Sequence, residues 1–199
     1  MCYDIEVILY KEIKMKKILA ILAMTISGSV YAASATIEYQ NQTGLKATTD
    51  SSLYLISISE NINKNFSAAL TTNFGAKDST GAVSNSRIEG SITGRTTVGF
   101  LSPYMRVGAG QKFTTVTNYT YYSVEPGVTA PLGNTGLTAR LGYRYRTAFD
   151  STANADTTNA WRLGMSYALT KQDTIGIRYD QVRGDTNQNN VAFNYSRSF

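Results

Sequence analysis

Apolar and polar residues alternate along almost the whole chain from Ala33 to Phe199. Between Leu137 and Phe149, one parity is apolar or aromatic at nearly every position, while the other parity carries Arg140, Arg144 and Arg146. A repeat of two residues separates the two faces of a β-strand, and no helical stripe of useful length interrupts it. The pattern predicts an all-β protein whose strands have one apolar and one polar face.

Turn-forming residues divide this alternation into ten predicted strands. Their approximate bounds are 35–42, 52–60, 66–76, 86–100, 104–117, 121–130, 137–149, 160–169, 174–182 and 190–199. Most reach the ~9 to 11 residues that a tilted membrane strand needs, and short connections alternate with mostly longer polar ones. The prediction is an antiparallel, up-and-down transmembrane β-barrel of about ten strands, with eight or twelve as alternatives. A soluble β-sandwich also alternates, but it does not require the aromatic residues found near so many strand ends.

The N-terminal residues read as a leader in front of this barrel. From Met15, two lysines precede an apolar run that is too short to span a bilayer, and Val30 and Ala32 suit a cleavage site. We expect residues 1–14 to precede the true start, residues 15–32 to be a signal peptide, and residues 33–199 to be the barrel. An N-terminal anchor helix is the alternative, and the shortness of the run argues against it.

Composition removes most catalytic chemistry. The chain has no histidine, so the acid–base relays that depend on imidazole cannot be built. Its single cysteine, Cys2, excludes an internal disulfide and a thiolate metal cluster. We therefore expect no enzyme, no cofactor and no metal site.

The C-terminal nine residues, VAFNYSRSF, carry a family resemblance. A terminal Phe199 with apolar or aromatic residues at alternate positions before it, including Phe193 and Tyr195, resembles the closing strand of Gram-negative outer-membrane β-barrel proteins. The resemblance implies that these three residues form a signal for the barrel-assembly machinery. Arg197 departs from the pattern, because it takes a lipid-facing position from which it could reach the head groups.

A second likeness rests on Glu125-Pro126-Gly127-Val128 and on LGYRYR at positions 141–146, with Trp161 beginning the next strand. These segments are similar to the oligogalacturonate-specific monomeric porins. That resemblance implies an arginine-lined pore and a larger, twelve-stranded barrel.

The polar positions of each predicted strand are expected to face the interior of the barrel, and many of them carry charges. The predicted lumenal cations are Arg87, Arg95, Arg106, Lys112, Arg140, Arg144, Arg146, Arg162 and Arg178. The predicted counter-charges are Glu38, Glu89, Glu125 and Asp180. Because an unpaired charge in a dry interior is costly, we expect water, a bound anion or both in the lumen. Glycines at inward positions, Gly99 and Gly142 among them, are expected to leave space beside the arginines.

These features favour a narrow, porin-like channel for small, mainly anionic solutes in the outer membrane. The alternative is a plugged structural or surface-recognition barrel, for which Arg183-Gly184-Asp185 spells an adhesion-type tripeptide. We expect contact with outer-membrane lipid and lipopolysaccharide, a monomeric state and no binding of nucleic acid. The lumenal charges are sealed from a duplex.

The spacing also predicts a register for two hairpins. If the connection between Asp150 and Asn159 centres near residues 153–154, Arg146 and Arg162 lie level with each other. If the next turn centres near Lys171, Arg162 and Asp180 also lie level, close enough for an ion pair.

Overall fold

The computed structural model describes residues 33–44, 51–75, 86–113, 118–150 and 157–199. Residues 1–32, with the predicted leader, lie outside this range. The described residues form ten strands. They are β1 (Ala33–Gly44), β2 (Ser51–Asn61), β3 (Phe66–Gly75), β4 (Ser86–Arg95), β5 (Ser102–Phe113), β6 (Asn118–Pro131), β7 (Leu137–Ala148), β8 (Thr158–Ala168), β9 (Asp173–Gly184) and β10 (Gln188–Ser198). Among these residues no helix is long and apolar enough to cross a bilayer.

Each strand pairs antiparallel with its neighbours in sequence, and β1 pairs with β10. The sheet therefore closes on itself and has no free edge. A closed sheet suits a bilayer, because the hydrocarbon core offers no water to pair with exposed backbone groups. The prediction of ten strands in an all-β, up-and-down barrel is confirmed: the described residues close the barrel with ten strands, not with the twelve that the second resemblance implied. We call the end with the start of β1, the end of β10 and the four turns after β2, β4, β6 and β8 the turn end, and the opposite end the loop end.

The outer face of the barrel is apolar. Large hydrophobic side chains point away from the lumen and remain exposed, such as Leu163 (53%) and Val107 (49%). Aromatic rings pair across neighbouring strands towards the loop end, with ring centroids 5.4 Å apart for Tyr39 and Tyr54 and 5.3 Å apart for Tyr122 and Phe149. An apolar band with aromatic residues near its rim is the surface that a bilayer-spanning barrel presents to lipid.

One predicted strand was too long. The sequence prediction extended the fourth strand through Phe100, but β4 ends at Arg95. Val98 and Leu101 exchange backbone hydrogen bonds of 2.8 and 3.1 Å around a tight turn. Gly99 has φ +63° there, in the left-handed region that favours glycine. Gly99 therefore forms the turn and does not face the lumen, which corrects its predicted position.

The predicted register was correct across one hairpin and wrong across another. Arg162 lies opposite Asp180, as predicted. Arg146, however, lies opposite Thr158, and Gly142 lies opposite Arg162. The β7–β8 connection is thus centred two residues earlier than expected, and a hydrogen bond of 2.7 Å between the Thr147 and Thr157 hydroxyls closes the hairpin there.

Candidate functional site

All thirteen predicted lumenal charges lie on the inward faces of their strands. The nine cations come from β4, β5, β7, β8 and β9, and the four carboxylates come from β1, β4, β6 and β9. Small or hydroxylated residues occupy many of the inward positions between them, so long side chains can extend over their neighbours. The strand periodicity thus brings charges that are distant in sequence into one interior.

Three of the carboxylates join neighbouring arginines into a continuous network. Arg178 donates to both oxygens of Glu38, at 2.7 and 2.8 Å, and its Nε lies 2.9 Å from Asp180 Oδ1. Asp180 also accepts from Arg162 Nε at 3.2 Å. Arg162 Nη1 then reaches Glu125 Oε2 at 2.6 Å. The chain of charges alternates in sign along the wall from β1 to β6.

Glu125 is the most heavily bonded member of this network. Besides Arg162, it accepts from Arg140 Nη2 at 2.6 Å and from the Tyr104 hydroxyl at 2.9 Å. Its side chain is only 1% exposed. Arg140 also donates from Nε to the Tyr104 hydroxyl at 2.8 Å. A carboxylate with three such donors is well compensated despite its burial.

Glu89 forms a second, smaller cluster. Its Oε1 accepts from Arg106 Nη2 at 2.8 Å, and its Oε2 accepts from the Tyr121 hydroxyl at 2.9 Å. Tyr121 is fully buried (0% exposed). A buried phenol usually finds a hydrogen-bond partner, and this one also helps to fix the carboxylate.

Tyr104 and Tyr121 belong to these clusters although they were not among the predicted lumenal residues. The only signal available was their place on the inward parity of β5 and β6. They also explain two inward glycines: a Cβ on Gly142 would lie 2.5 Å from the Tyr104 hydroxyl, and one on Gly110 would lie 2.8 Å from the Tyr121 hydroxyl. Side chains therefore cross the strands at these glycines, where we had predicted empty space beside arginines.

The remaining cations differ in their surroundings. Arg95, at the turn end, donates to the Ser67 hydroxyl at 2.9 Å. Lys112 and Arg146 lie over the rings of Tyr119 and Tyr121, at 5.6 and 5.4 Å from the ring centroids.

Arg87 and Arg144 have no carboxylate at ion-pair distance in the part of the chain that the structure describes. Arg144 is nevertheless only 9% exposed. A buried guanidinium without a carboxylate partner is energetically costly, so it marks a place where an anion or water has to compensate the charge.

Two cavities lined by described residues lie within the lumen. The cavity nearer the turn end has about 250 Å³ and is lined mainly by serine and threonine, with Arg95 at its rim. The second lies near the middle of the barrel and has about 260 Å³; we call it the arginine chamber. Its arginines are Arg87, Arg106, Arg140, Arg144, Arg162 and Arg178. The two cavities share Ser57, Thr71, Arg106 and Arg140 in their walls and are therefore contiguous.

Several described residues towards the loop end of the lumen are buried. Leu53, Tyr121, Thr158 and Val182 are all buried there, at 5% exposure or less. This layer also contains polar atoms with no hydrogen-bond partner among the described protein atoms, including Asn73 Oδ1, Asn190 Oδ1 and Arg87 Nε. Leaving a buried polar group unpaired costs about 1–3 kcal/mol, so these atoms favour hydration of the layer.

Of the C-terminal residues predicted as an assembly signal, Phe193 and Tyr195 lie on the outer face of β10, and Phe199 follows directly after that strand. Phe193 and Phe199 are exposed towards lipid, and the Tyr195 hydroxyl donates to Asp173 Oδ1 at 2.6 Å. Arg197 Nη1 lies 3.4 Å from the same carboxylate oxygen. The outward arginine thus has a partner at the turn end, which accounts for its departure from the family pattern.

The adhesion-type tripeptide has a structural role in its hairpin. Arg183 Nη1 donates to the Val182 carbonyl at 2.6 Å, and Asp185 Oδ2 accepts from the Thr157 amide at 2.7 Å. Both charged side chains are therefore engaged within the protein. No cluster of three or more potential metal ligands occurs among the described residues.

The barrel resembles solved structures of outer-membrane proteins. An outer membrane channel from Pseudomonas putida F1 aligns with a TM-score of 0.57 and 10% identity, over 86% of this chain and 96% of that chain. Outer membrane phospholipase A from Escherichia coli aligns with a TM-score of 0.45 and 11% identity, over 84% and 92%. An anion-selective porin from Comamonas acidovorans aligns with a TM-score of 0.39 and 13% identity, over 79% and 52%. No family model and no curated protein sequence matches the chain.

At 10% identity, the likeness to the Pseudomonas putida channel shows the fold alone. The chain has the closed, antiparallel barrel fold of outer-membrane β-barrel proteins. Its particular form is a ten-stranded barrel with an arginine chamber at the centre of the lumen.

Proposed function

We propose that this protein is an outer-membrane channel whose narrow, arginine-lined lumen favours small anions. The observation that carries the proposal is the pair of contiguous cavities along the lumen, the deeper of which is lined by six arginines. Transport and not catalysis is proposed, because the chain contains no histidine to serve in an acid–base relay.

The outer wall supports a membrane location. Every strand has 10 to 14 residues, enough to cross the hydrocarbon core at a tilt. Large apolar side chains remain exposed around the wall, and burying them in lipid removes the cost of presenting them to water. Lipid and lipopolysaccharide are the proposed contacts of this surface. The closed sheet needs no second copy to pair its edges, so a monomer is the proposed working form.

The charge balance supports a preference for anions. Among the described residues, nine inward cations share the lumen with four inward carboxylates, so positive charge is in excess along this part of the path. At an effective dielectric constant of ~20, a unit charge ~7 Å from one of these cations feels an interaction of roughly 2 kcal/mol. An anion is attracted by that amount and a cation is repelled, which is enough to bias the ions that enter a narrow pore.

Ions can cross the barrel only if they can pass through the loop end of the lumen. Its packed side chains are the observation that favours the alternative, a plugged barrel that serves a structural role. The unpaired polar atoms of Asn73, Asn190 and Arg87 favour the channel, because water that satisfies them also provides a path for ions. Ten strands enclose more space than the eight whose interior side chains just fill a barrel.

Conductance of the purified protein in a planar bilayer tests the proposal. A channel gives discrete ohmic steps whose size rises with salt concentration, and a bilayer without protein gives none. A preparation that is folded, shown by its altered mobility on unboiled gels, yet produces no steps would support the plugged barrel instead.

A further inference from the structure

The arginine chamber holds more positive charge than its own carboxylates can compensate. Six arginines line it, and the carboxylates bonded to them are Glu38, Glu89, Glu125 and Asp180. All four carboxylates already contact at least one of the arginines. The chamber is therefore left with two surplus positive charges, and the described protein atoms offer no further carboxylate to balance them.

We propose that the arginine chamber is a binding site for a small, doubly charged oxyanion such as sulfate or phosphate, held by Arg144 and Arg87. These are the two chamber arginines without a carboxylate at ion-pair distance among the described residues. Both line the same cavity and interact electrostatically with each other. A dianion placed between them neutralises the surplus of two.

The chemistry of the donors fits such an oxyanion. A guanidinium presents planar pairs of N–H groups that match the oxygen spacing of carboxylate, sulfate and phosphate. Arg144 is repelled by Arg162, Arg87 and Arg146, and it is attracted by Glu89, Glu125 and Asp180 without an ion-pair contact to any of them. A bound anion would provide the direct contact that these carboxylates do not make. The Arg87 Nε, which has no partner among the described atoms, supplies one further donor.

The size of the chamber limits the ligand. About 260 Å³ accommodates a small oxyanion with some of its water, whereas a larger solute would have to displace the ion pairs of the wall. A monovalent, planar anion such as nitrate would neutralise only one of the two surplus charges. The site is therefore expected to prefer sulfate over nitrate by about tenfold or more, the ratio that one additional charge-assisted interaction provides.

Isothermal titration of the full-length mature barrel in detergent micelles tests this inference, with sodium sulfate as the probe and sodium nitrate at matched ionic strength as the comparison. The expected result is one sulfate per barrel, and at least a tenfold loss of affinity in Arg144→Gln. Arg197→Gln removes the same charge from the outer wall, where the side chain interacts with Asp173 and Tyr195 outside the lumen, and serves as the matched control. Its sulfate affinity should equal that of the wild type.

Each outcome decides the inference. Folding of every variant is checked by its mobility on unboiled gels, and Arg87→Gln replaces Arg144→Gln if the latter does not fold, with the same expected loss. Equal sulfate affinity in the lumenal variant and in Arg197→Gln, or no difference between sulfate and nitrate, would overturn the site. The inference builds on the proposed anion path, yet the two fail separately: binding without conductance refutes the channel, and conductance without binding refutes the site.

Discussion

Replacing Glu125 by glutamine should destabilise the barrel strongly. The change preserves shape but removes the negative charge that accepts from Arg140 and Arg162 at 2.6 Å and from the Tyr104 hydroxyl at 2.9 Å. Removing one partner of a buried ion pair typically costs about 3–5 kcal/mol, because the other charge stays buried. Arg162 retains Asp180 as a partner, so we expect a loss near the lower limit, about 3 kcal/mol.

Urea titration of the folded barrel in detergent micelles measures this loss as a change in the free energy of unfolding. Glu60→Gln is the matched control, because Glu60 is exposed at the turn end on the outward parity of β2. An exposed substitution of this kind should change the free energy by about 0.5 kcal/mol or less. If Glu125→Gln also stayed within that limit, the ion-pair network could not be a main source of order in the lumen.

Two further changes test the wall and its closure. Gly142→Ala should lower the free energy of unfolding by about 1–3 kcal/mol in the same urea titration, because the new methyl group meets the Tyr104 hydroxyl and Glu125. Gly90→Ala is the control and should leave that free energy nearly unchanged, because the space around its Cβ is open. Deletion of Phe199 should lower the fraction of folded, heat-modifiable protein in outer-membrane preparations, because the closing strand loses its exposed terminal aromatic residue. Wild-type amounts of folded protein after that deletion would contradict the role given to the C-terminal residue.

The side on which each residue lies was predictable from the sequence, because a strand has an invariant period of two. That periodicity placed Arg162 and Asp180 on the inward face, and a tight turn between β8 and β9 fixed them opposite each other. The turn leaves little freedom, since Leu169 and Thr170 donate to the Asp173 carbonyl at 2.9 and 3.2 Å. The strand period and the residues of the turn were therefore sufficient to predict that Arg162 and Asp180 lie opposite each other.

The contact between Arg162 and Glu125 was not predictable in the same way. It passes over β7, where Gly142 lies opposite Arg162 and leaves room for the Glu125 side chain. Recognising it requires the register of β7 against β8, which depends on the conformation of a nine-residue connection and not on periodicity. The prediction that Arg146 lay opposite Arg162 failed for that reason.

The roles of Tyr104 and Tyr121 could not be predicted from residue type. Tyrosine serves on both faces of this barrel: outward at the lipid boundary, as in Tyr39 and Tyr54, and inward as a hydroxyl donor to Glu125 and Glu89. An amphipathic ring suits either position, so residue type alone does not separate the two uses. Parity within the strand was the distinguishing signal.

The reversal potential of the open channel in a gradient of potassium chloride shows whether the arginine-lined lumen selects anions. For the wild type we expect a reversal potential close to the equilibrium potential of chloride, and a shift towards zero when Arg144 and Arg146 are both replaced by alanine. Raising the salt to 1 M should weaken the wild-type preference, because the screening length falls to ~3 Å. Arg197→Ala, on the outer wall, should leave the potential unchanged. A wild-type channel that favours potassium, or a double variant with an unaltered potential, would contradict the arginine-lined anion path.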